Sequence, residues 1–286
     1  MTRRVGLLGK PLKRRHSQVM HDAAFDAAGI DARYVLLELE PEVVEDAVAT
    51  ARASDEWLGL GVTAPYKQVV ASLVDEVEPD ARAIGAVNNV VRTDDGRLVG
   101  FNTDAPGFRA GVELAMGRSL EGARVVVMGA GGAAHAVVYA CLDAGARSVV
   151  VANRTVERAA SLVQQFADVG QGSLTAVGAD DPTLAEALAG ADLAVNATTV
   201  GMIDPGATIP VDRLGRDATV FDLVYVPAET PLVAAARARG LRAGNGSEML
   251  IAQAAIAFER WTGVGGMADV MREAVAPLLA DPTVRA

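Results

Sequence analysis

The sequence is poor in cysteine, histidine and aromatic residues. Its 286 residues include three histidines and a single cysteine, Cys141, so no internal disulfide and no Cys/His metal cluster is expected. Only 4% of the chain is aromatic while 51% is hydrophobic, so its cores must consist mainly of aliphatic side chains. Cys141 lies in an apolar stretch, which predicts a buried, unreactive thiol. The length suits two domains.

Positive charge is also scarce, because 26 basic residues face 36 acidic ones and the net charge is −10. Such a chain repels phosphate backbones, so nucleic acid is not an expected partner. Residues 125–142 carry no charged side chain, but three glycines interrupt them, which favours a strand followed by a helix over a membrane span. No signal peptide is visible, and we therefore expect a soluble cytoplasmic protein without a membrane partner.

Strand-like and helix-like patterns alternate along the chain, which predicts an α/β fold. In the first part, strands are predicted at 5–9, 34–39, 58–63, 86–91 and 98–102, and helices at 16–29, 42–53 and 69–77. Asp94-Asp95-Gly96 predicts a hairpin turn between the last two strands. A helix at 105–116 leads into the second part.

The second part has the βαβ repeats of a parallel, doubly wound sheet. Its strands are predicted at 125–128, 148–152, 193–196 and 219–223, and its helices at 133–144, 156–166 and 184–189. The tail is predicted to form helices at 247–261, capped by Ser247, and at 267–279, which return to the first part. We therefore expect two domains, residues 1–104 with 247–286 and residues 105–246.

A glycine-rich loop lies between an apolar strand and an apolar helix. The loop reads Gly129, Ala130, Gly131, Gly132, Ala133, Ala134. Its first glycine permits a tight turn, its second lets backbone approach a pyrophosphate, and the helix that follows offers free N–H groups to the phosphates. This context predicts a Rossmann domain that binds a nicotinamide dinucleotide.

The end of the next strand indicates which dinucleotide is bound. NAD sites carry an acidic residue there for the ribose 2′-hydroxyl, whereas this chain has Asn153, Arg154 and Thr155. Arg154 can pair with a 2′-phosphate, and its two neighbours can donate hydrogen bonds. We therefore expect NADP, with NAD the weaker candidate. The same three residues can also cap the helix that begins near Val156, and the two roles are compatible.

Polar side chains in the first part stand at predicted strand ends. Thr63 and Lys67 follow the third strand, Asn88 lies in Gly85-Ala86-Val87-Asn88, and Asp104 ends Asn102-Thr103-Asp104. Hydride transfer to a carbonyl leaves an alkoxide, so a proton donor is needed beside the cofactor. Taken alone, Lys67 fits a solvated surface lysine better than a catalytic one, and residues 102–104 could form a simple turn.

Taken together, these segments resemble the shikimate dehydrogenase family over nearly the whole chain. The matching motifs occur in the family's order: Val62–Lys67, Gly85–Asn88, Asn102–Asp104, Gly129–Ala134, Asn153–Thr155 and Asn196–Thr198. The resemblance implies a reaction of the chorismate pathway of aromatic amino acid biosynthesis, in which a hydride passes reversibly between NADP(H) and a ring hydroxyl or ketone of a small cyclic hydroxy acid. It also implies a monomer or a homodimer.

The resemblance further implies residue roles. Lys67 and Asp104 would be the catalytic pair, in which Lys67 exchanges the proton of the substrate hydroxyl. Thr63, Asn88, Tyr225 and Gln253 would contact substrate, and Thr198 and Gly246 would contact the cofactor near the nicotinamide.

The loop that precedes the first long helix departs from the family pattern. The family has Ser-x-Ser-Pro, in which both hydroxyls hold the substrate carboxylate and a histidine follows four residues later. Here Arg15 takes the place of the first serine, Ser17 and His21 match, and Gln18 replaces the proline. Arg15 would bind the carboxylate through its planar fork, or else Arg14 and Arg15 point to solvent and Ser17 serves alone.

Two further departures point to a changed substrate preference. Gly61 replaces an asparagine, and Asn245–Met249 replaces Asp-Gly-x-Gly-Met. The alternatives to shikimate are therefore quinate, aminoshikimate or aminoquinate. Further alternatives are a related reductase of another substrate class, such as an imine or a methylene-folate, and an NADP-sensing module with little catalysis.

Overall fold

The computed structural model describes residues 2–170, 173–202 and 206–281. The described residues form two compact units, each with one six-stranded sheet. The first unit contains the described residues up to Thr103 together with Ile251–Leu278. The second contains Asp104–Leu250 and the described residues from Leu279. The predicted α/β class with two domains is confirmed.

The first unit begins with six strands and four α-helices. The strands are β1 (Arg3–Gly9), β2 (Ala32–Glu38), β3 (Trp57–Val62), β4 (Glu76–Val77), β5 (Asn89–Arg92) and β6 (Leu98–Phe101). The helices are α1 (His16–Ala27), α2 (Val44–Ala53), α3 (Lys67–Leu73) and α4 (Pro79–Ile84), with a 3-10 turn at Pro41–Val43. The strand order is β2-β1-β3-β5-β6-β4, and only β5 runs antiparallel to its neighbours.

The second unit is an alternation of strands and helices. Its strands are β7 (Arg124–Met128), β8 (Ser148–Asn153), β9 (Leu174–Gly178), β10 (Leu193–Asn196), β11 (Thr219–Asp222) and β12 (Arg242–Asn245). Its helices are α5 (Asp104–Met116), α6 (Gly132–Asp143), α7 (Val156–Gln165), α8 (Ala167–Gly170), α9 (Pro182–Gly190) and α10 (Pro231–Ala238), with a 3-10 turn at Val211–Arg213. All pairings are parallel in the order β9-β8-β7-β10-β11-β12, which is the doubly wound dinucleotide-binding order and confirms the predicted Rossmann domain.

Two helices end the described chain, α11 (Ser247–Thr262) and α12 (Ala268–Ala280). Residues Ile251–Leu278 belong to the first unit, so the predicted return of the tail is confirmed. The indole N–H of Trp261 on α11 donates to the carbonyl of Val90 at 2.9 Å. The predicted cap at Ser247 is wrong, because Ser247 is already helical and its own N–H donates to Asn245 Oδ1 at 3.0 Å.

The predicted elements differ from the structure mainly where elements are short. The helix predicted over 69–77 ends at Leu73, and Glu76–Val77 instead pairs with β6. The strand predicted over 86–91 begins only at Asn89. The hairpin that follows it is confirmed: Thr93 N–H donates to Arg97 O at 2.9 Å, and Gly96 has the positive φ of +85° that the turn requires.

The apolar segment 125–142 consists of β7 and α6, as predicted, and not of a single span. Within the described part of the chain, no helix is long and apolar enough to cross a membrane. Cys141 on α6 is fully buried, and burial raises the pKa of its thiol to about 12. The predicted burial of this cysteine is confirmed, and a thiol with a raised pKa fits the expectation that it is unreactive.

The sheet of the first unit leaves space on one face for aromatic side chains. Glycines alternate on β3, and a Cβ at Gly59 would overlap the carbonyl of Val90 and the indole of Trp261. His21 on α1 lies against this cluster, with its ring 4.6 Å from that of Tyr34 and 5.1 Å from that of Trp261. It is 3% exposed, and its Nδ1 has no hydrogen-bond partner among the described residues. Burial lowers the pKa of His21 to about 3.

The burial of His21 predicts sensitivity to acid. His21 stays neutral in the native state, whereas in the unfolded chain it binds a proton below its ordinary pKa of 6.5, so stability falls as the pH drops from about 6.5 towards 3. From pH 7 to pH 5 this group should remove about 2 kcal/mol from the free energy of unfolding. His21→Phe keeps a ring against Tyr34 but cannot bind a proton. Urea denaturation at pH 7 and pH 5 should therefore show that its free energy of unfolding falls by about 2 kcal/mol less than that of the wild type.

His135→Gln is the matched control, because it removes a histidine but keeps His21. It should retain the pH dependence of the wild type. An equally steep loss of stability in His21→Phe would contradict the assignment.

Candidate active site

The first group of predicted site residues lies at the end of β3. Thr63 directly follows this strand, and its N–H donates to Leu8 O on β1 at 2.8 Å. Its carbonyl accepts from Tyr66 N at 3.0 Å, so the chain turns sharply through Ala64-Pro65. Lys67 is then the first residue of α3, and it is half-buried. The turn thus places Thr63 and Lys67 at one end of β3.

Asn88 lies beside this turn. Val87 N–H donates to Lys67 O at 3.0 Å, and Asn88 O accepts from Val62 N at 2.8 Å. Asn88 N–H donates to Phe101 O at 3.2 Å. The Asn88 backbone is therefore bonded to the ends of β3 and β6, while the residue before it is bonded to Lys67.

The side chain of Asn88 is 6% exposed and connects three segments. Its Oδ1 accepts from Thr103 N at 2.8 Å and from Asn89 Nδ2 at 2.9 Å. Its Nδ2 donates to Thr103 Oγ1 at 3.1 Å and to Gln253 Oε1 on α11 at 3.4 Å. The structure thus brings two predicted substrate residues, Asn88 and Gln253, into direct contact.

Asp104 follows Thr103 and is the first residue of α5. It is 9% exposed, a burial that is unusual for a carboxylate and requires partners. The N–H and the hydroxyl of Thr103 are both hydrogen-bonded to the Asn88 amide. The backbone immediately before Asp104 is therefore held in place. Thr103 and Asn89 were not predicted as site residues, although the Asn102-Thr103-Asp104 motif already contained the first of them.

The loop before α1, in which the sequence departs from the family pattern, has a defined geometry. Arg15 is exposed and immediately precedes α1, and Ser17 is half-buried in the first turn of that helix. Arg15 Nε donates to Gln18 Oε1 at 2.8 Å, and Gln18 Nε2 donates to Tyr34 O at 3.0 Å. The alternative in which both arginines point to solvent is wrong for Arg14, whose Nη2 atom is buried.

Gly61 is buried, and its missing side chain makes room for a hydroxyl group. A Cβ built on Gly61 would lie 2.5 Å from Tyr34 Oη and 3.2 Å from Leu7 Cδ1. The Tyr34 hydroxyl therefore occupies the place that a larger residue at 61 would fill.

In the second unit, the glycine loop connects β7 to α6. Gly129 has a φ of +113°, and a Cβ there would come within 3.0 Å of the backbone of Ala197. Gly131 is the N-cap of α6, and neither it nor Gly132 has a described atom within 4 Å of a built Cβ. Backbone N–H groups at an exposed helix N-terminus, beside open space, fit a pyrophosphate.

The end of β8 carries the predicted 2′-phosphate residues. Asn153 Nδ2 donates to Thr155 O at 2.8 Å, and Thr155 is the N-cap of α7, although its hydroxyl does not cap that helix. Arg154 is exposed directly after the strand. Arg158, also exposed and in the first turn of α7, was not predicted. Its signal was a second cation four residues after Arg154, a spacing that places both near one helix end.

The ends of β10 and β11 are joined by a buried carboxylate. Asp222 is fully buried, accepts from Asn196 Nδ2 at 2.8 Å and Val224 N at 3.0 Å through Oδ1, and from Thr230 Oγ1 at 2.7 Å through Oδ2. Burial raises its pKa, against the effect of these hydrogen bonds. Asn196 Oδ1 in turn accepts from Thr198 Oγ1 at 2.7 Å.

This carboxylate therefore fixes both the loop that carries Thr198 and the loop that carries Tyr225. Gly246 lies nearby in the fold, since a Cβ there would overlap the carbonyl of Leu223. The three predicted residues Thr198, Tyr225 and Gly246 thus lie at the same end of the parallel sheet as the glycine loop. Ligands bind at this end in doubly wound folds.

Each unit carries its own set of polar groups. The first holds a lysine, amides and hydroxyls around the end of β3, and the second holds a helix N-terminus beside open space and two exposed arginines after β8. Among the described residues, no group of three His, Cys, Asp or Glu side chains could hold a metal ion.

Models of known families match three segments of the chain. Residues 7–90 match the shikimate dehydrogenase substrate binding domain, residues 112–202 match shikimate / quinate 5-dehydrogenase, and residues 246–276 match the shikimate 5'-dehydrogenase C-terminal domain.

Individual relatives match nearly the whole chain. The shikimate dehydrogenase (NADP(+)) of Carboxydothermus hydrogenoformans is 40% identical over 277 residues, which cover 96% of each chain. The crystal structure of shikimate 5-dehydrogenase from Thermus thermophilus in complex with NADP(H) and shikimate has a TM-score of 0.84 at 36% identity, covering 96% of this chain and 99% of that one.

A further solved structure has a TM-score of 0.89 at 34% identity, covering 96% of this chain and 99% of its own. It is quinate dehydrogenase from Corynebacterium glutamicum in complex with NAD. The resemblance seen in the motifs is thereby confirmed, and the chain belongs to the shikimate dehydrogenase family.

Proposed function

We propose that this chain is an NADP-dependent shikimate dehydrogenase that interconverts a ring hydroxyl and a ketone, as in shikimate and 3-dehydroshikimate or a close cyclic analogue. The observation that carries the proposal is the buried amide of Asn88, which bonds to Thr103 and Gln253 beside the turn that bears Lys67. This arrangement presents amide and hydroxyl groups to a ring rich in hydroxyls, with a lysine at hand for the proton.

The proposed catalytic pair is Lys67 and Asp104. Lys67 takes the proton of the reacting hydroxyl in oxidation and returns it in reduction, while Asp104 orients the lysine and the hydroxyl. Thr63, Asn88 and Gln253 hydrogen-bond the other ring hydroxyls, and Tyr225 contributes a further contact. The support for these roles is the match of each residue to a family motif, together with the fixed backbone around Thr63, Lys67 and Thr103.

NADP, when bound, supplies the hydride acceptor or donor. The glycine loop Gly129–Ala133 would hold the pyrophosphate on the α6 N-terminus, and the open space at Gly131 and Gly132 supports this assignment. Arg154 and Arg158 would bind the 2′-phosphate with Asn153 and Thr155, since both arginines are exposed and none of residues 153–155 at the strand end is acidic. Thr198 and Gly246 would contact the nicotinamide end.

The loop before α1 is the proposed binding site of the substrate carboxylate. Arg15 and Ser17 would bind it, because the Arg15 guanidinium is exposed and bound to Gln18 through one nitrogen only. Quinate is the second candidate substrate, favoured by the altered pair Arg15 and Gly61 and by the similarity to a quinate dehydrogenase. The same proposal assigns residues 1–104 with 247–286 to substrate and catalysis and 105–246 to NADP, in a cytoplasmic monomer or homodimer.

A substrate panel tests this function. Initial rates with shikimate, quinate, aminoshikimate and aminoquinate, each with NADP and with NAD, should give the highest kcat/KM for shikimate with NADP. A preference for quinate would shift the assignment to the second candidate. Turnover of an imine or a folate but of no ring acid would contradict both, and NADP binding without any turnover would indicate a sensing module.

Replacement of the lysine tests the mechanism. Lys67→Ala should lower kcat by about 10²- to 10⁴-fold, because the reacting hydroxyl loses its proton acceptor. The affinity for NADP, measured by calorimetry, should stay that of the wild type. Lys13→Ala, which removes an exposed lysine outside the proposed pair, should keep its kcat. Full turnover by Lys67→Ala would refute the proposed pair.

Replacement of the exposed arginine tests the choice of cofactor. Arg154→Gln should raise the KM for NADP about tenfold or more, a loss of about 1.4 kcal/mol, and leave the KM for NAD nearly unchanged because NAD has no 2′-phosphate. Arg147→Gln makes the same charge change at the opposite end of β8, where an exposed arginine precedes the strand. An equal effect of both variants on NADP would indicate general electrostatic attraction instead.

A further inference from the structure

Gln18 has both ends of its side-chain amide engaged. Its Oε1 accepts from Arg15 Nε at 2.8 Å, and its Nε2 donates to the main-chain carbonyl of Tyr34 at 3.0 Å. A reversed amide would set its NH₂ group against the guanidinium N–H and its oxygen against the Tyr34 oxygen. Gln18 therefore has one orientation, determined by a carbonyl of the β2 strand.

This contact leaves one edge of the Arg15 guanidinium available. Gln18 occupies Nε, and neither Nη1 nor Nη2 is hydrogen-bonded to another of the described residues. Two parallel N–H groups on one edge match the two oxygens of a carboxylate. Holding the guanidinium by its other side reduces the conformational freedom that an exposed arginine would lose on binding.

The acidic residues near this loop are already bound elsewhere. Glu38 Oε2 accepts from Leu12 N at 2.8 Å, and Glu40 forms an ion pair with Lys10. Arg15 forms no ion pair with a carboxylate among the described residues, and its charge is left for a ligand.

We propose that Gln18 is a positioning residue that orients Arg15 as a two-pronged contact for the substrate carboxylate, so that this loop recognises its substrate by an ion pair. This inference rests on the proposed function, which supplies a carboxylated ring as substrate. Recognition by an ion pair differs from recognition by hydroxyl groups in two measurable ways. It weakens as salt screens the charges, and it is lost when the carboxylate is esterified.

The test compares shikimate with its uncharged methyl ester. Gln18→Met keeps the length of the side chain and removes both hydrogen bonds, while Arg15 remains. With saturating NADP, Arg15→Ala should raise the KM for shikimate about tenfold and Gln18→Met about threefold to tenfold, with kcat within about twofold of the wild type. Neither variant should change the KM for the ester, and salt should raise the KM for shikimate only where Arg15 and Gln18 are both present.

The double variant and a charge control make the test specific. If Gln18 acts through Arg15, Gln18→Met should have no further effect in the Arg15→Ala background. Lys13→Ala removes an equal charge from the same loop and should leave the ratio of acid to ester KM unchanged. An unchanged ratio in Gln18→Met, or an effect that adds fully to that of Arg15→Ala, would overturn the proposal.

Calorimetry separates this proposal from the proposed function. Titration of shikimate or quinate into the NADP complex measures carboxylate binding without turnover. Weaker binding by Gln18→Met than by the wild type supports the positioning role even if the enzyme reduces a different ring ketone. If the wild type binds neither acid, the positioning role is refuted, whatever the enzyme turns over.

Discussion

The buried amide of Asn88 is the interaction on which the first unit depends. It bonds to Thr103 through both of its polar atoms and to Gln253 on α11, while its backbone is tied to β3 and β6. A buried polar group left without partners costs free energy, so these segments are held in one arrangement. The Asn88 side chain and the backbone of residues 87 and 88 therefore help to position the site residues of this unit, including Lys67.

The second unit uses a carboxylate in the same way. Asp222 joins the end of β11 to Asn196 and Thr230, and Asn196 in turn holds Thr198. The glycine loop lies at the neighbouring strand end because Gly129 can approach Ala197 more closely than any residue with a side chain. Buried polar side chains thus fix the loops of both units, while aliphatic cores supply most of the stability.

Three of the departures that the sequence suggested, at positions 15, 18 and 61, lie in the first unit. Arg15 and Gln18 bond to one another, and Gln18 is anchored on Tyr34, whose hydroxyl fills the space at Gly61. The sequence showed each departure separately, and only the fold shows that they are neighbours. The glycine loop lies between a strand and a helix, and the next strand ends without an acidic residue, as the sequence predicted.

Local pattern was sufficient to predict the α/β class, the doubly wound second sheet and the glycine loop, because each depends on residues close together in the chain. It missed the strands β9 and β12 and the helices α4, α8 and α10, since short edge strands and short helices bury too few side chains to leave a clear period. It also placed a helix where β4 pairs with β6. The sequence by itself determined which chemical groups the site contains. Only the tertiary structure decided which of them meet, because contacts such as Asn88 with Gln253 join residues far apart in the chain.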